Sequence, residues 1–434
     1  MHEQQITGVS EQLKDAMGRG TLRQLGDDSG FVIRERAITA DRFVPSLIKS
    51  LASHKVESIA DLVRDFNFDH GLTVFYKPYY EKLDTPCFPR LMKGVLESML
   101  TEMCVPVLEP LKRGPFARFQ DIVIQDGSSF ALHDGLAEAF KGRFTAVSPA
   151  AVELHCTMSL FADNLITIAM TGDAECERHY LPTPKELKGK LLLADRGYDG
   201  TEYLLRVDEE GGCFLVRIRK NLNPWVVKIH RRGKRYRDLE GKRLRAVLRR
   251  LRKDEVYDMD ICWEDSAGEL HCFFRLVTSW NPTKKEWVRL MSNLGREDFS
   301  KEDIQQAYRL RWQIELLFKE LKSYANLHRF STIKETIAEG LIWASLCAAF
   351  LKRYIGHACQ RVCGEAISTR RVAMCGHHVV ASLCDSLKRS FRDLAARLQE
   401  IFEFLSHNAK RSNLNRERAT GRLALGLGLA GVRA

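Results

Sequence analysis

The sequence of 434 residues lacks the features that direct a chain to secretion or to a bilayer. Its start, MHEQQITGV, has no basic segment followed by an apolar one, so no secretory signal is predicted. The longest apolar run, Leu341 to Leu351, is too short to cross a bilayer and predicts a buried helix. The twelve cysteines include no CxxC pair, so reduced core thiols are expected. We therefore expect a cytoplasmic globular protein that does not bind membranes.

Acidic residues are scarce in one segment. The basic window, Lys228 to Lys253, contains thirteen Lys or Arg and only two acids, and it carries the whole formal net charge of +11. The rest of the chain is neutral. A run of like charges is usually only a solvated face. A run that contains the chain's entire excess of basic over acidic residues instead predicts a surface that binds a polyanion. Two arginine pairs in this window are the candidate contacts, namely Arg231, Arg232, Arg249 and Arg250.

Two aspartates follow short apolar strands. The segment DIVIQDGSS predicts a strand that ends at Asp126, and KLLLADRGY predicts a fully apolar strand that ends at Asp195. Between them, AAVELHCTMSLF and NLITIAMT predict two strands joined by a turn at Ala162–Asn164, and CFLVRIRKN predicts a further strand. A helix-compatible stretch with Pro182 and Pro184 precedes the second aspartate. A single aspartate after a strand is usually only a turn residue.

The stretch YRLRWQIELLFKELK places four polar residues at helical spacing. If it forms one helix, Tyr308, Arg311, Glu315 and Lys322 share a narrow stripe, while apolar residues occupy another face. The glutamate could reach a metal ion, the arginine and the lysine could grip a polyanion, and the tyrosine could donate a hydrogen bond. In an isolated amphipathic helix, such a stripe is usually only the solvated face.

These motifs together resemble those of a group of bacterial insertion-sequence DDE transposases. The helix matches the Y-x2-R-x3-E-x6-K signature, and DGSS and DRGY resemble the family motifs after the two strands. The three acids, Asp126, Asp195 and Glu315, are 69 and 120 residues apart. The resemblance covers residues 120–325 and implies a cut-and-paste enzyme with a ribonuclease-H-like core. It implies that the three acids are catalytic and bind two Mg²⁺, with Mn²⁺ as a substitute, because hard cations prefer carboxylate oxygens.

The same resemblance assigns DNA contacts to five residues. Tyr308, Arg311, Lys322 and Arg196 would orient terminal phosphates. Trp287 lies 28 residues before the signature glutamate, where the family has a tryptophan that stacks on a flipped base. A core tryptophan in a β-sheet is an equally plausible interpretation of that position.

The expected fold class is α/β, a ribonuclease-H-like mixed sheet with a β-rich insertion subdomain and helical N- and C-terminal regions. The insertion is indicated by WVVKIH, VYDMDICW, LHCFFRLVTSW and EWVRLMSNL, with a turn at Ser266–Gly268. The predicted regions are a helical DNA-binding region at 1–120, the first part of the core at 121–220, the insertion at 221–295, the catalytic helix at 296–330 and a helical region at 331–434.

Two terminal segments give further expectations. Residues Glu57 to Leu83 contain a helix, a turn at Gly71 and a second segment with Lys77, an order that suits a helix-turn-helix or an ordinary helical hairpin. The tail LALGLGLAGVRA is rich in glycine and is expected to be loosely ordered.

The resemblance implies a nick at the element's end, hairpin formation by the freed 3′-hydroxyl, reopening, and strand transfer into target DNA. The implied partners are double-stranded DNA, as terminal inverted repeats and as target, and a second copy of the chain in a synaptic homodimer. We expect the DNA-bound protein to associate with the nucleoid. The alternatives are a nuclease of the same core that does not join strands, and a DNA-binding regulator that has lost catalysis.

Overall fold

The molecule combines one large sheet with helices before and after it, so the predicted α/β class is confirmed. In the computed structural model, the described residues are 2–32, 36–53, 56–264, 269–325, 327 and 331–432. The predicted turn at Ser266–Gly268 lies outside these residues. Within the described ranges, no helix combines the length and the apolar character that crossing a membrane requires.

Six helices precede the sheet in the described part of the chain. The fourth of them begins with a capping box between Ser58 and Asp61 and ends at Gly71, whose φ of 60° is the left-handed conformation that favours glycine. A short helix follows, so the predicted order of helix, turn and second helix is present. These helices are α1 (His2–Met17), α2 (Arg19–Asp28), α3 (Ala40–Ala52), α4 (Ile59–His70), α5 (Tyr76–Leu83) and α6 (Cys87–Glu102).

The remaining helices lie within and after the sheet region. The long helix among them is buried along most of its length and packs against α3 and α6. These helices are α7 (Thr201–Glu209), α8 (Lys234–Arg237), α9 (Leu244–Leu248), α10 (Lys301–Arg309), α11 (Trp312–Tyr324), α12 (Glu335–Cys363), α13 (Thr369–Leu387), α14 (Phe391–Asn408) and α15 (Leu414–Thr420).

The strands of the described residues form a ten-stranded sheet and one separate pair. They are β1 (Leu108–Pro110), β2 (Ile122–Ala131), β3 (Ala151–Ser159), β4 (Asn164–Gly172), β5 (Leu191–Ala194), β6 (Cys213–Arg217), β7 (Trp225–Ile229), β8 (Lys242–Arg243), β9 (Val256–Glu264), β10 (Leu270–Asn281), β11 (Glu286–Ser292) and β12 (Leu427–Leu429).

The large sheet has the order β4-β3-β2-β5-β6-β11-β10-β9-β7-β8. Strands β2, β3 and β4 form the predicted antiparallel meander, while β5 runs parallel to both β2 and β6. This arrangement of five strands is the predicted ribonuclease-H-like core. The inserted strands continue the same sheet, because β11 pairs with β6.

Two local expectations were wrong. The stretch before β5 forms short 3₁₀ turns at Glu177–Tyr180 and Pro184–Leu187 instead of an α-helix, since closely spaced prolines interrupt it. The glycine-rich tail is not loose throughout, because β12 pairs with β1 in an antiparallel ladder. That ladder joins the end of the chain to the segment that leads into the core.

A buried ion-pair network connects the long helix α12 to the rest of the core. The Arg353 guanidinium lies 3.2 Å from the Asp163 carboxylate in the β3–β4 turn and 3.0 Å from Glu320 on α11. Arg353 is only 5% exposed, and it also donates two hydrogen bonds to the Asp163 carbonyl. Because breaking a buried pair leaves an uncompensated charge, this network constrains the position of α11 against the sheet.

Candidate active site

The strand register brings the two predicted aspartates together. Gln125 of β2 is opposite Ala194 of β5, so the residues that follow, Asp126 and Asp195, are level on adjacent strands. Neighbouring strands are about 4.8 Å apart, which makes the two aspartates direct neighbours at one edge of the sheet.

The signature stretch is not one continuous helix, so that expectation was wrong. Helix α10 ends at Arg309 and α11 begins at Trp312, with Leu310 and Arg311 forming a tight turn between them. In this turn the amide of Ile314 donates to the Arg311 carbonyl at 3.3 Å, an i to i+3 bond typical of a 3₁₀ turn. No proline or glycine causes the break. The four polar residues of the signature stretch nevertheless all lie at the edge of the sheet that carries the two aspartates.

Arg311 is the residue that connects the acids. Its guanidinium donates to the Asp126 carboxylate at 2.6 Å and to the Glu315 carboxylate at 3.4 Å. Burial would lower the pKa of Arg311, but Asp126 and the other acids raise it above its ordinary value. The positive charge of Arg311 therefore lies between two of the three predicted catalytic acids.

Tyr308 contacts the third acid. Its hydroxyl donates a hydrogen bond to the Asp195 carboxylate at 3.1 Å. Burial and the nearby charge of Asp195 raise the pKa of Tyr308 above its ordinary value. The phenol therefore stays protonated and acts as a hydrogen-bond donor at neutral pH.

The pKa of Asp126 is affected by both of the other acids. Burial raises the pKa of Asp126 to about 6. The Arg311 charge opposes this shift, whereas the Glu315 and Asp195 charges add to it. An Asp126 carboxylate is therefore desolvated and repelled by two like charges, a condition that attracts cations.

The remaining predicted phosphate ligands lie beside these acids. Lys322 donates to the Ser129 carbonyl at 2.7 Å, and burial lowers the pKa of its amine while Glu315 opposes that shift. Arg196 directly follows Asp195, is half-buried, and has no ion pair within the described ranges.

One group of charged residues beside the site was missed by the sequence reasoning. Glu153 on β3 is 4% exposed, and its carboxylate lies so close to Gly127 that a Cβ there would come within 2.5 Å of it. Burial, together with Glu177, raises the pKa of Glu153 to about 7. Arg143 lies 3.3 Å from Glu153 and 3.2 Å from Glu177. The available signal was an acid within the apolar run AAVELHC.

The basic window contains the end of β7, the edge strand β8 and the short helices α8 and α9. Arg231 forms an ion pair with Glu255. Arg232, Arg249 and Arg250 are exposed and have no ion pair with any residue that the structure describes. Of the four predicted arginines, three are thus available to a ligand.

Trp287 lies on β11 at the same end of the sheet as the acids. Arg217 of β6 is level with Asp195 and is opposite Leu290 of β11. Trp287 precedes Leu290 by three residues, so it lies beyond that level in the direction in which β5 and β6 run. It is half-buried, with its ring 5.6 Å from that of Trp280. The position fits both the base-stacking and the core interpretations.

Comparison with known proteins gives the family. Residues 117–351 match the model of the transposase DDE domain. The transposase of insertion sequence IS1151 from Clostridium perfringens is 22% identical over 75% of this chain and 76% of its own length. The transposase of IS231C from Bacillus thuringiensis subsp. berliner is 20% identical, over 93% of this chain and 92% of its own.

A solved structure, the piggyBac transposase synaptic complex with hairpin DNA, aligns over 94% of this chain and 89% of that chain, with a TM-score of 0.47 and 10% identity. The family match covers more than half of the sequence and includes all three acids and the signature stretch. The chain therefore belongs to the DDE-domain transposases and is a DNA transposase of the insertion-sequence type.

Proposed function

We propose that Asp126, Asp195 and Glu315 are the metal ligands with which this transposase cuts the ends of its element and joins them to target DNA. The observation that carries the proposal is the convergence of all three acids at one edge of the sheet. Two of them are level on adjacent parallel strands, and the third shares Arg311 with Asp126.

The residues present fit a divalent metal in their chemistry. Transposases of this family normally use such metals, and Mg²⁺ prefers hard carboxylate oxygens. When bound, two divalent ions would activate water or a 3′-hydroxyl and stabilise the leaving oxygen. Among the described residues, no three acids, histidines or cysteines are gathered tightly enough to hold an ion. Arg311 lies between two of the acids, so we infer that it withdraws when metal binds.

Arg311 would then have a second role. Released from Asp126, its planar guanidinium is suited to grip a phosphate of the DNA end with two hydrogen bonds. Tyr308 keeps its proton and can donate to a phosphoryl oxygen, while Lys322 and Arg196 supply positive charge beside it. These residues would orient the scissile phosphate for in-line attack.

We further infer that excision proceeds through a DNA hairpin. A hairpin at a DNA end forces a sharp bend, and its strain falls if one base leaves the stack and finds an aromatic surface. Trp287 is supported in this role by its place beyond Asp195 at the same end of the sheet. Mg²⁺ is the inferred metal, with Mn²⁺ able to replace it.

The inferred partners are terminal inverted repeats, target DNA and a second copy of the chain in a homodimeric synaptic complex. The basic window supplies the DNA-binding charge. Helices α4 and α5 would add a contact as a helix-turn-helix, and the five regions predicted from the sequence remain our proposed division of the chain. A protein with these partners would act in the cytoplasm, on the nucleoid.

The first prediction concerns stability without metal. The pKa of Asp126 is raised to about 6, so the stabilisation from its protonated form is present at low pH and lost as pH rises through about 6. At pH 8 the ionised Asp126 carboxylate therefore destabilises the folded state by roughly 3 kcal/mol. Asp126→Asn has no charge at this position and removes that destabilisation. In EDTA, we expect the melting temperature of Asp126→Asn to exceed that of the wild type at pH 8, with the gap narrowing at pH 5.

Asp27→Asn is the matched control, because it makes the same chemical change at an exposed position on α2 and should show no such pH-dependent gap. Replacing EDTA with Mg²⁺ in large excess over protein should raise the melting temperature of the wild type more than that of Asp126→Asn. A gap that does not change with pH would contradict the electrostatic account of this site.

The second prediction concerns catalysis. Asp126→Asn, Asp195→Asn and Glu315→Gln should each reduce cleavage of the element's own ends by more than about a hundredfold in Mg²⁺, because each removes a metal ligand. Binding of the same DNA ends should survive. The assay maps cleaved and joined strands; near wild-type cleavage by any variant would exclude that residue as a ligand.

The third prediction concerns the basic window. Changing Arg232, Arg249 and Arg250 to Gln should weaken binding to all DNA sequences alike and flatten its salt dependence. The logarithmic slope should fall by about 0.9 for each lost phosphate contact. The control neutralises three exposed cations elsewhere, namely Lys112, Arg113 and Arg392. An unchanged slope in the window variant would mean that this face points away from DNA.

The fourth prediction concerns Trp287. Loss of base stacking, worth about 1–3 kcal/mol, should slow hairpin formation by up to roughly a hundredfold and spare the first nick. Trp287→Ala should therefore accumulate nicked ends, with Trp287→Phe intermediate. The core interpretation predicts poor folding and equal loss at every step. Trp263 is the control, because it packs on the same sheet away from the sheet edge that carries the acids.

A further inference from the structure

A row of four aromatic rings begins in the basic window, at Tyr236, and continues onto the neighbouring strands. The ring centroids of Tyr236 and Tyr257 are 6.1 Å apart, those of Tyr257 and Trp287 are 6.3 Å apart, and those of Trp287 and Trp280 are 5.6 Å apart. The register places three of the rings on one face of the sheet, since Trp280 is opposite Trp287 and Tyr257 is opposite Thr278. The aromatic row therefore continues beyond Trp287 in both directions.

Cations cover both ends of this row. The Lys253 ammonium lies 4.1 Å from the centre of the Trp280 ring, and the Arg231 guanidinium lies over both Tyr236 and Tyr257. The two cations differ in whether an acidic side chain pairs with them. Arg231 is held by Glu255, whereas Lys253 is exposed and forms no ion pair in the described part of the chain.

This combination has the chemistry of a site for unpaired DNA. Proteins that bind single strands combine aromatic rings, on which successive bases stack, with positive charge that follows the backbone. A stacked base gains more than an exposed cation–π contact provides, so a base can displace Lys253 from Trp280. The displaced ammonium would then pair with the adjacent phosphate.

We propose that Trp280, Trp287 and Lys253 form a platform that binds at least two successive unpaired bases of single-stranded DNA. Trp280 takes a second base beside the one on Trp287, and Lys253 moves from the Trp280 ring to the phosphate that links them. This inference rests on the proposed function, in which the enzyme unpairs the DNA end. It extends that function from one flipped base to a short single strand.

The position of the platform suits such a strand. Trp287 lies three residues beyond the point where β11 is level with Arg217 and Asp195, which is about 10 Å along the strand direction. A strand released at the acids can span that distance within a few nucleotides. Arg232, Arg249 and Arg250 are exposed and belong to the same basic window as Lys253.

The test measures binding without chemistry. In the full-length Asp126→Asn protein and in EDTA, fluorescence anisotropy would compare an eight-nucleotide oligothymidylate with a blunt duplex. Adding Trp280→Ala should weaken oligothymidylate binding about tenfold or more, because one stacked base is lost. Adding Lys253→Gln should weaken oligothymidylate binding severalfold and duplex binding clearly less, by no more than Lys234→Gln does, whereas Trp280→Ala should leave duplex binding within about twofold.

Two matched variants and one probe complete the design. Trp263→Ala removes a half-buried tryptophan of the same sheet, and Lys234→Gln removes an exposed charge of the same window that covers no tryptophan. Trp263→Ala should leave both affinities unchanged, and Lys234→Gln should reduce them equally. An abasic oligonucleotide of the same length offers phosphates without bases, so the difference between Trp280→Ala and its parent should vanish with it.

Two results would overturn the platform. One is oligothymidylate affinity unchanged in both Trp280→Ala and Lys253→Gln. The other is an equal loss of single-strand and duplex binding in Lys253→Gln. Because this substitution does not disturb the core, that result would mean that Lys253 belongs only to a general charged surface. Failure of the proposed function appears separately, as absence of Mg²⁺-dependent cleavage by the wild-type chain.

Discussion

The site depends on holding mutually repelling carboxylates together at one edge of a sheet. Asp126 is desolvated, and the charges of Glu315 and Asp195 raise its pKa further. Without metal, the compensating charge is that of Arg311, at 2.6 Å from Asp126. Arg311 does not offset burial and repulsion together, since the pKa of Asp126 is still raised to about 6, with burial as the largest cause. The site therefore keeps an unsatisfied demand for positive charge, which suits binding of divalent cations.

The surrounding fold fixes these groups in place. Parallel pairing of β2 with β5 sets the two aspartates level, and the packing of α11 on the sheet brings the glutamate to them. Arg353 ties α11, through Glu320, to the turn between β3 and β4. The inserted strands share the same sheet, so hydrogen-bonded strands β6 and β11 connect Trp287 to the strands that carry the aspartates. The proposed catalytic acids and the proposed base-stacking tryptophan thus share one continuous sheet.

The sequence predicted those features that arise from local pattern. An apolar run followed by an acid and a nearby glycine located Asp126 and Asp195, and the Y-x2-R-x3-E-x6-K pattern located the signature residues although they do not share one helix. Features set by distant contacts could not be predicted. Arg311 meets Asp126 across 185 residues, and the turn between α10 and α11 contains no proline or glycine. The Glu153 carboxylate was missed because its significance depends on the neighbouring strand.

The most direct test of the account is the position of metal in a complex of the protein with its cut DNA end, read from the anomalous scattering of Mn²⁺. The account predicts two Mn²⁺ peaks about 3.5–4 Å apart among Asp126, Asp195 and Glu315. It also predicts that Arg311 has left Asp126 for a DNA phosphate. Peaks elsewhere, or Arg311 still bound to Asp126 beside ordered DNA, would contradict it.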